Sequence, residues 1–162
     1  MKTLWTPWRM EYIDGSAARP PGCPFCAPTG VTHDRQSLLL WRDELLAVFL
    51  NRFPYANGHL LVAPSRHVAD LTELSDQEHA AIAAMLPRCV AILRRQFAPD
   101  GINLGLNLGE VAGAGVASHL HWHLVPRWAG DHNFLTVLAE VRTVPEHIQR
   151  TFDRLLPEFA CP

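Results

Sequence analysis

Ser118-His119-Leu120-His121-Trp122-His123-Leu124-Val125-Pro126-Arg127 alternates polar and apolar side chains from His119 to Leu124. Alternation with period two is the mark of a β-strand. It sends His119, His121 and His123 to one face and Leu120, Trp122 and Leu124 to the other. Three imidazoles side by side make a poor core and a good site, so this strand sets where the rest of the chain has to go.

Working outward, Gly101 to Leu108 also alternates and predicts a strand, joined to the histidine strand by the glycine-bearing loop Gly109 to Ala117. Glycines in such a loop let backbone N–H groups approach an anion such as phosphate. Upstream, Ser75-Asp76-Gln77-Glu78 has the form of a capping box. Ile82, Met85, Leu86, Cys89, Val90, Leu93 and Phe97 then recur with the helical period, predicting a core-packing helix over about 76–97 with a kink at Pro87. Before it lie a short apolar strand, Ser37 to Trp41, and two longer ones, Leu45 to Leu50 and His59 to Ala63. Leu45 to Leu50 is apolar throughout, as in a strand covered on both faces. The loop Asn51 to Gly58 joins the longer pair as an antiparallel hairpin, and its Asn57-Gly58 ending is a turn signal. Val144-Pro145-Glu146 opens a last helix over about 145–156. Strands, one long helix, two strands and a tail helix spell an α+β fold with an antiparallel sheet.

The chain has 162 residues, 48% of them hydrophobic, which suits a single domain with a substantial core. A formal net charge of −2 and the lack of like-charge blocks argue against a nucleic-acid partner. No apolar run is long enough for a membrane span, and the first residues lack the apolar stretch of a signal peptide. A cytoplasmic protein with reduced thiols is expected. In that setting Cys23 and Cys26, spaced Cys-x-x-Cys, point to metal or redox chemistry. Residues 1–22 form an N-terminal arm whose Trp5, Trp8 and Tyr12 are expected to pack on the domain or on a second subunit.

At neutral pH an imidazole is a competent nucleophile, and His121 is flanked by two more. Three imidazoles also suit zinc, so the residues alone leave a phosphate site and a metal cluster open.

Ser118 to Arg127 resembles the signature of the histidine triad (HIT) family of nucleotidyl hydrolases and transferases. Leu50-Asn51-Arg52-Phe53-Pro54, Asn57-Gly58-His59-Leu60-Leu61-Val62-Ala63-Pro64 and Gly109-Glu110-Val111-Ala112-Gly113 match the family in the same order. The resemblance covers about residues 22–130 and implies a HIT domain over 23–130, with 131–162 as a C-terminal extension packed on it. It implies a five-stranded antiparallel sheet with one long helix, commonly in a homodimer. His121 would attack the α-phosphorus of a nucleotide to form a nucleotidyl-histidine. His123 would support the phosphate and leaving group, with His119 completing the catalytic set. Asn51 would bind ribose, and Asn107, Gly113 and Ser118 would line the phosphates. Cys23, Cys26, His67 and His119 match the positions at which some members bind a structural zinc. No organic cofactor is implied.

One departure stands out. Many family hydrolases carry a glutamine before the triad, whereas Ala112-Gly113-Ala114-Gly115-Val116-Ala117-Ser118 has none and is one residue longer. This loop, the Leu4-Trp5-Thr6-Pro7 arm and the tail Val125 to Phe134 resemble the bacterial diadenosine tetraphosphate phosphorylase branch. There phosphate, not water, resolves the intermediate. The resemblance therefore implies a dinucleoside polyphosphate substrate and a phosphate acceptor. The alternatives are a water-resolved hydrolase of dinucleoside polyphosphates or nucleoside phosphoramidates, and a zinc-stabilised nucleotide-binding module with little turnover.

Overall fold

A computed structural model of the chain describes residues 22–26, 30–131 and 146–160. The N-terminal arm up to residue 21, the phosphorylase-like tail beyond Asp131 and Pro145 lie outside them. The strands are β1 (Leu39–Arg42), β2 (Leu46–Leu50), β3 (Leu60–Pro64), β4 (Gly101–Leu106) and β5 (Trp122–Arg127); the helices are α1 (Asp76–Phe97) and α2 (Ile148–Ala160). The strands form one antiparallel sheet in the order β1-β2-β3-β5-β4. The α+β class read from the sequence is therefore the observed one.

Local chemistry explains each boundary. Ser75 caps α1 by accepting from the Glu78 N–H, while the Glu78 carboxylate accepts from the Ser75 N–H at 2.8 Å. α1 runs unbroken through Pro87 to Phe97 and ends at Ala98, which takes a left-handed conformation with φ 44°. β1 starts two residues later than the sequence predicts. Asp34 folds back to accept from the Gln36 and Ser37 N–H groups, and Leu38 sits at φ 62°, which no strand residue adopts. β5 starts at Trp122, not Ser118. Its pairing with β3 ends at the Val62–Trp122 pair, because Pro64 has no N–H to extend the ladder. Leu120 instead donates to the Val68 carbonyl at 2.7 Å. β4 has no described strand to pair with beyond that point and ends at Leu106, short of the predicted Leu108. α2 begins at Ile148, three residues later than predicted, and extends to Ala160 because Thr151, Phe152, Leu155 and Phe159 carry one buried stripe to its end.

α1 and α2 cover one face of the sheet. Leu46, Val48, Leu50, Leu60, Val62, Leu120, Trp122 and Leu124 pack there against Ile82, Met85, Cys89, Ile92, Leu93, Phe152, Leu155 and Phe159. The other face holds a smaller cluster of Phe25, Leu39, Ala47, Phe49, Leu61 and Ala63, with Cys23, Val31 and Val116 against it. β2 and β3 are thus buried on both faces, which is why they read as unbroken apolar runs. Each Leu or Val so enclosed contributes about 1.5–3 kcal/mol. The Cys23–Cys26 turn caps the second cluster, so the same contacts that bury Phe25 carry both thiols to the end of β5. Among the described residues no helix is long and apolar enough to cross a membrane.

Candidate active site and metal centre

His119, His121 and His123 lie on the sheet face opposite the helices, as the alternation predicts, and Leu120, Trp122 and Leu124 fill the core behind them. Hydrogen bonds assign the protons. His119 and His121 each direct one ring nitrogen at a backbone carbonyl, which can only accept. His119 Nε2–H therefore donates to the Pro64 oxygen at 2.9 Å, and its Nδ1 keeps a lone pair. His121 Nδ1–H donates to the His119 oxygen at 2.8 Å, and its Nε2 keeps the lone pair. Burial pushes the His121 pKa below the usual imidazole value, with the bond to the His119 carbonyl opposing, so the neutral ring is favoured. The His121 ring is 5% exposed, tilted against Phe25 at 4.8 Å and edge-on to His123 at 4.9 Å.

His123 is oriented by a residue that the sequence reading did not single out. His59 is completely buried. Its Nδ1 accepts from the Tyr55 N–H at 3.1 Å and from Asn51 Nδ2 at 3.2 Å, so a neutral ring carries its proton on Nε2. That proton is donated to His123 Nδ1 at 3.0 Å, which leaves the His123 proton on Nε2. Tyr55 lies tilted against His59 and stacked beside His123. His59 stood in the quoted Asn57-Gly58-His59 stretch, and a buried position for a histidine opening an apolar strand was the available signal. Asn51 also accepts from the Phe53 N–H at 3.0 Å, so it shapes its own loop while Oδ1 retains a second lone pair.

Asn107 follows β4 and donates to the Gly113 carbonyl at 3.3 Å, closing the glycine loop on itself. Gly109 and Gly113 take φ of 82° and 92°, conformations that favour glycine. Ser118 is exposed at the end of that loop.

Four metal-type donors converge at the other end of the histidine row. Cys23 Sγ is 3.2 Å from His119 Nδ1, Cys26 Sγ is 3.2 Å from His67 Nδ1, and Cys26 Sγ is 3.6 Å from His119 Nδ1. All four donor atoms lie within 4.8 Å of one another. Zinc bonds of about 2.0–2.3 Å in a tetrahedron place donors roughly 3.3–3.8 Å apart, so this set fits a zinc ion. His119 presents the correct nitrogen, because Pro64 holds its proton on the other one. Burial and the neighbouring Cys23 raise the Cys26 thiol above its ordinary value, with Arg42 opposing, and a divalent cation relieves that repulsion. Burial likewise lowers His119 to about 4, keeping it neutral for ligation. Among the described residues the donors that converge are Cys23, Cys26, His67 and His119, and His119 is the member of the histidine row that joins them. Nδ1 of His121 and Nδ1 of His123 are engaged elsewhere. Cys23, Cys26 and Cys89 are free thiols.

Comparison with known proteins places the chain's family and fold. Residues 33–130 match the family model described as HIT domain. A Mycobacterium tuberculosis protein named AP-4-A phosphorylase is 36% identical over 167 residues, spanning 99% of this chain and 85% of its own length. Protein hit of Bacillus subtilis is 31% identical over 69% of this chain and 75% of its own length. Among solved structures, a Zn-bound histidine triad family protein from Mycobacterium smegmatis aligns with a TM-score of 0.61 at 30% identity, covering 76% of this chain and 84% of that one.

Proposed function

The chain belongs to the HIT-domain family, and from that membership we propose that it is a nucleotidyl-transferring enzyme that cleaves dinucleoside polyphosphates through His121, with inorganic phosphate as acceptor. The observation that carries the reading is the His121 Nδ1–H bond to the His119 carbonyl, which leaves a neutral ring with its Nε2 lone pair available. Nε2 attacks the α-phosphorus of diadenosine tetraphosphate. The P–N bond forms as the bond to the bridging oxygen breaks, and ATP leaves. A phosphate oxygen then attacks the same phosphorus, the P–N bond breaks, and ADP leaves. His123, with its proton held on Nε2, donates to the departing oxygen. Asn51 takes the ribose, while Asn107, Gly113 and Ser118 border the phosphate chain. The likeness to the mycobacterial AP-4-A phosphorylase supports substrate and acceptor. The missing glutamine is offset by the amides of the glycine loop, which are suited to an anion.

Cys23, Cys26, His67 and His119 would hold a structural zinc, which would tie the N-terminal turn to the catalytic strand. Its role is to fix this end of the strand. The side of β4 that no described strand pairs, flanked by Leu104 at 48% and Leu108 at 43% exposure, joins two copies into a homodimer, which sedimentation tests directly. A reducing cytoplasm suits the free thiols.

The deciding experiment is product analysis of diadenosine tetraphosphate turnover with and without phosphate, beside His121→Ala. ADP plus ATP formed only with phosphate is the expected result. AMP plus ATP regardless of phosphate would make the enzyme a hydrolase, and full activity in His121→Ala would remove the mechanism.

A further inference from the structure

α2 carries one polar side chain on its buried stripe. Thr151 is 1% exposed between Phe152, Leu155 and the loop that joins β2 to β3. Its Oγ1 lies 2.9 Å from Glu146 Oε2 and 3.0 Å from Asn57 Oδ1. One hydroxyl proton cannot serve two acceptors, so it goes to the carboxylate and the chain is complete when the Asn57 amide turns its NH2 toward the hydroxyl. Arg154 donates to the other Glu146 oxygen at 2.7 Å and lies over the Phe97 ring at 5.3 Å. That ring is the wall behind Gly58, where a Cβ would come within 2.9 Å of it. The Asn57–Gly58 corner is therefore gripped from two directions, by the Glu146–Thr151 chain and by the Arg154-backed Phe97.

A buried hydroxyl on an apolar stripe is unfavourable unless its bonds matter to the fold or the site. Here they end two residues from His59. The corner also sets the bonds around that ring: His59 N–H donates to the Ala56 carbonyl at 3.3 Å, and Tyr55 N–H donates to His59 Nδ1. We propose that Thr151, with Glu146 and Asn57, is a positioning device by which the C-terminal helix holds the substrate loop in register with His59 and His123. Asn51, Tyr55 and His59 all ride on that loop, so the helix at the far end of the sequence governs nucleotide affinity without touching the nucleotide. The kinetic part of this inference rests on the functional reading above; the structural part does not.

The test compares Thr151→Val, which keeps the shape, with Thr151→Ser, which keeps the hydroxyl. Native-state hydrogen exchange is read at the Tyr55 and His59 amides, with Leu93 of α1 as the internal reference. In Thr151→Val both loop amides are expected to exchange about tenfold faster while Leu93 is unchanged, the scale of one lost buried hydrogen bond. KM for diadenosine tetraphosphate should rise by a similar factor with kcat little changed, and Thr151→Ser should restore both. Wild-type exchange at Tyr55 and His59 in folded Thr151→Val would overturn the proposal, as would a parallel rise at Leu93, which reports general loosening. A wild-type protein inert toward diadenosine tetraphosphate would defeat the functional reading instead, and the exchange result would still decide this one.

Discussion

Replacing His59 with leucine tests whether the buried histidine sets the protonation of His123. The variant keeps a large apolar side chain at a fully buried position and removes three hydrogen bonds, to Tyr55 N–H, Asn51 Nδ2 and His123 Nδ1. Tyr55 and Asn51 are half-buried, so water partly replaces the lost acceptor. A destabilisation of about 2–4 kcal/mol is expected from groups that each cost about 1–3 kcal/mol when stranded fully buried. The kinetic effect is separate. One hydrogen bond of about 0.5–1.5 kcal/mol keeps the His123 proton on Nε2, so its loss should lower kcat/KM by about 2–12-fold. Removing His123 itself deletes the proton donor and should cost more, about 10²–10⁴-fold. His59→Gln retains an acceptor for Tyr55 and a donor for His123 and should recover most of the activity. Steady-state turnover of diadenosine tetraphosphate, with urea denaturation of each variant, measures both quantities. A folded His59→Leu with wild-type kcat/KM, beside a disabled His123→Leu, would refute the assignment of a positioning role to His59.

Cys23→Ser and Cys26→Ser should each lose bound zinc by elemental analysis, whereas His121→Ala should retain it, because its ring nitrogens lie outside the donor set; metal lost from His121→Ala would restore the three-histidine cluster. Acid stability should depend on Glu78, whose carboxylate the Arg66 guanidinium holds down to about 2 from the usual 4.5. A depressed folded-state value stabilises above the unfolded one and is lost as pH falls from about 4.5 to about 2. The urea midpoint of the parent should therefore exceed that of Glu78→Gln at pH 6, and the gap should narrow through that window. A gap that stays constant to pH 2.5 would show that the ion pair does not supply it.

What could be read in the chain itself was whatever depends on neighbours in sequence. Period two placed His119, His121 and His123 on one face, and the structure keeps them there. Period 3.6 and the Ser75–Glu78 box delimited α1 from Asp76 to Phe97. Residue types at Cys23, Cys26, His67 and His119 marked a ligand set through resemblance, and the fold brings those atoms together. What escaped was governed by partners far away. β5 starts at Trp122 because Pro64, on another strand, ends its ladder. The roles of three imidazoles identical in chemistry diverge because the Pro64 carbonyl takes the His119 Nε2 proton, the His119 carbonyl takes the His121 Nδ1 proton, and the His59 ring donates to His123 Nδ1. Thr151 meets Asn57 across 94 positions of chain. Hydrophobic periodicity is a property of the backbone's own geometry and survives in any context, so sequence alone decides which face a residue joins. A proton's place on an imidazole is set by whichever atom lies within 3 Å, and only the packed tertiary structure determines that.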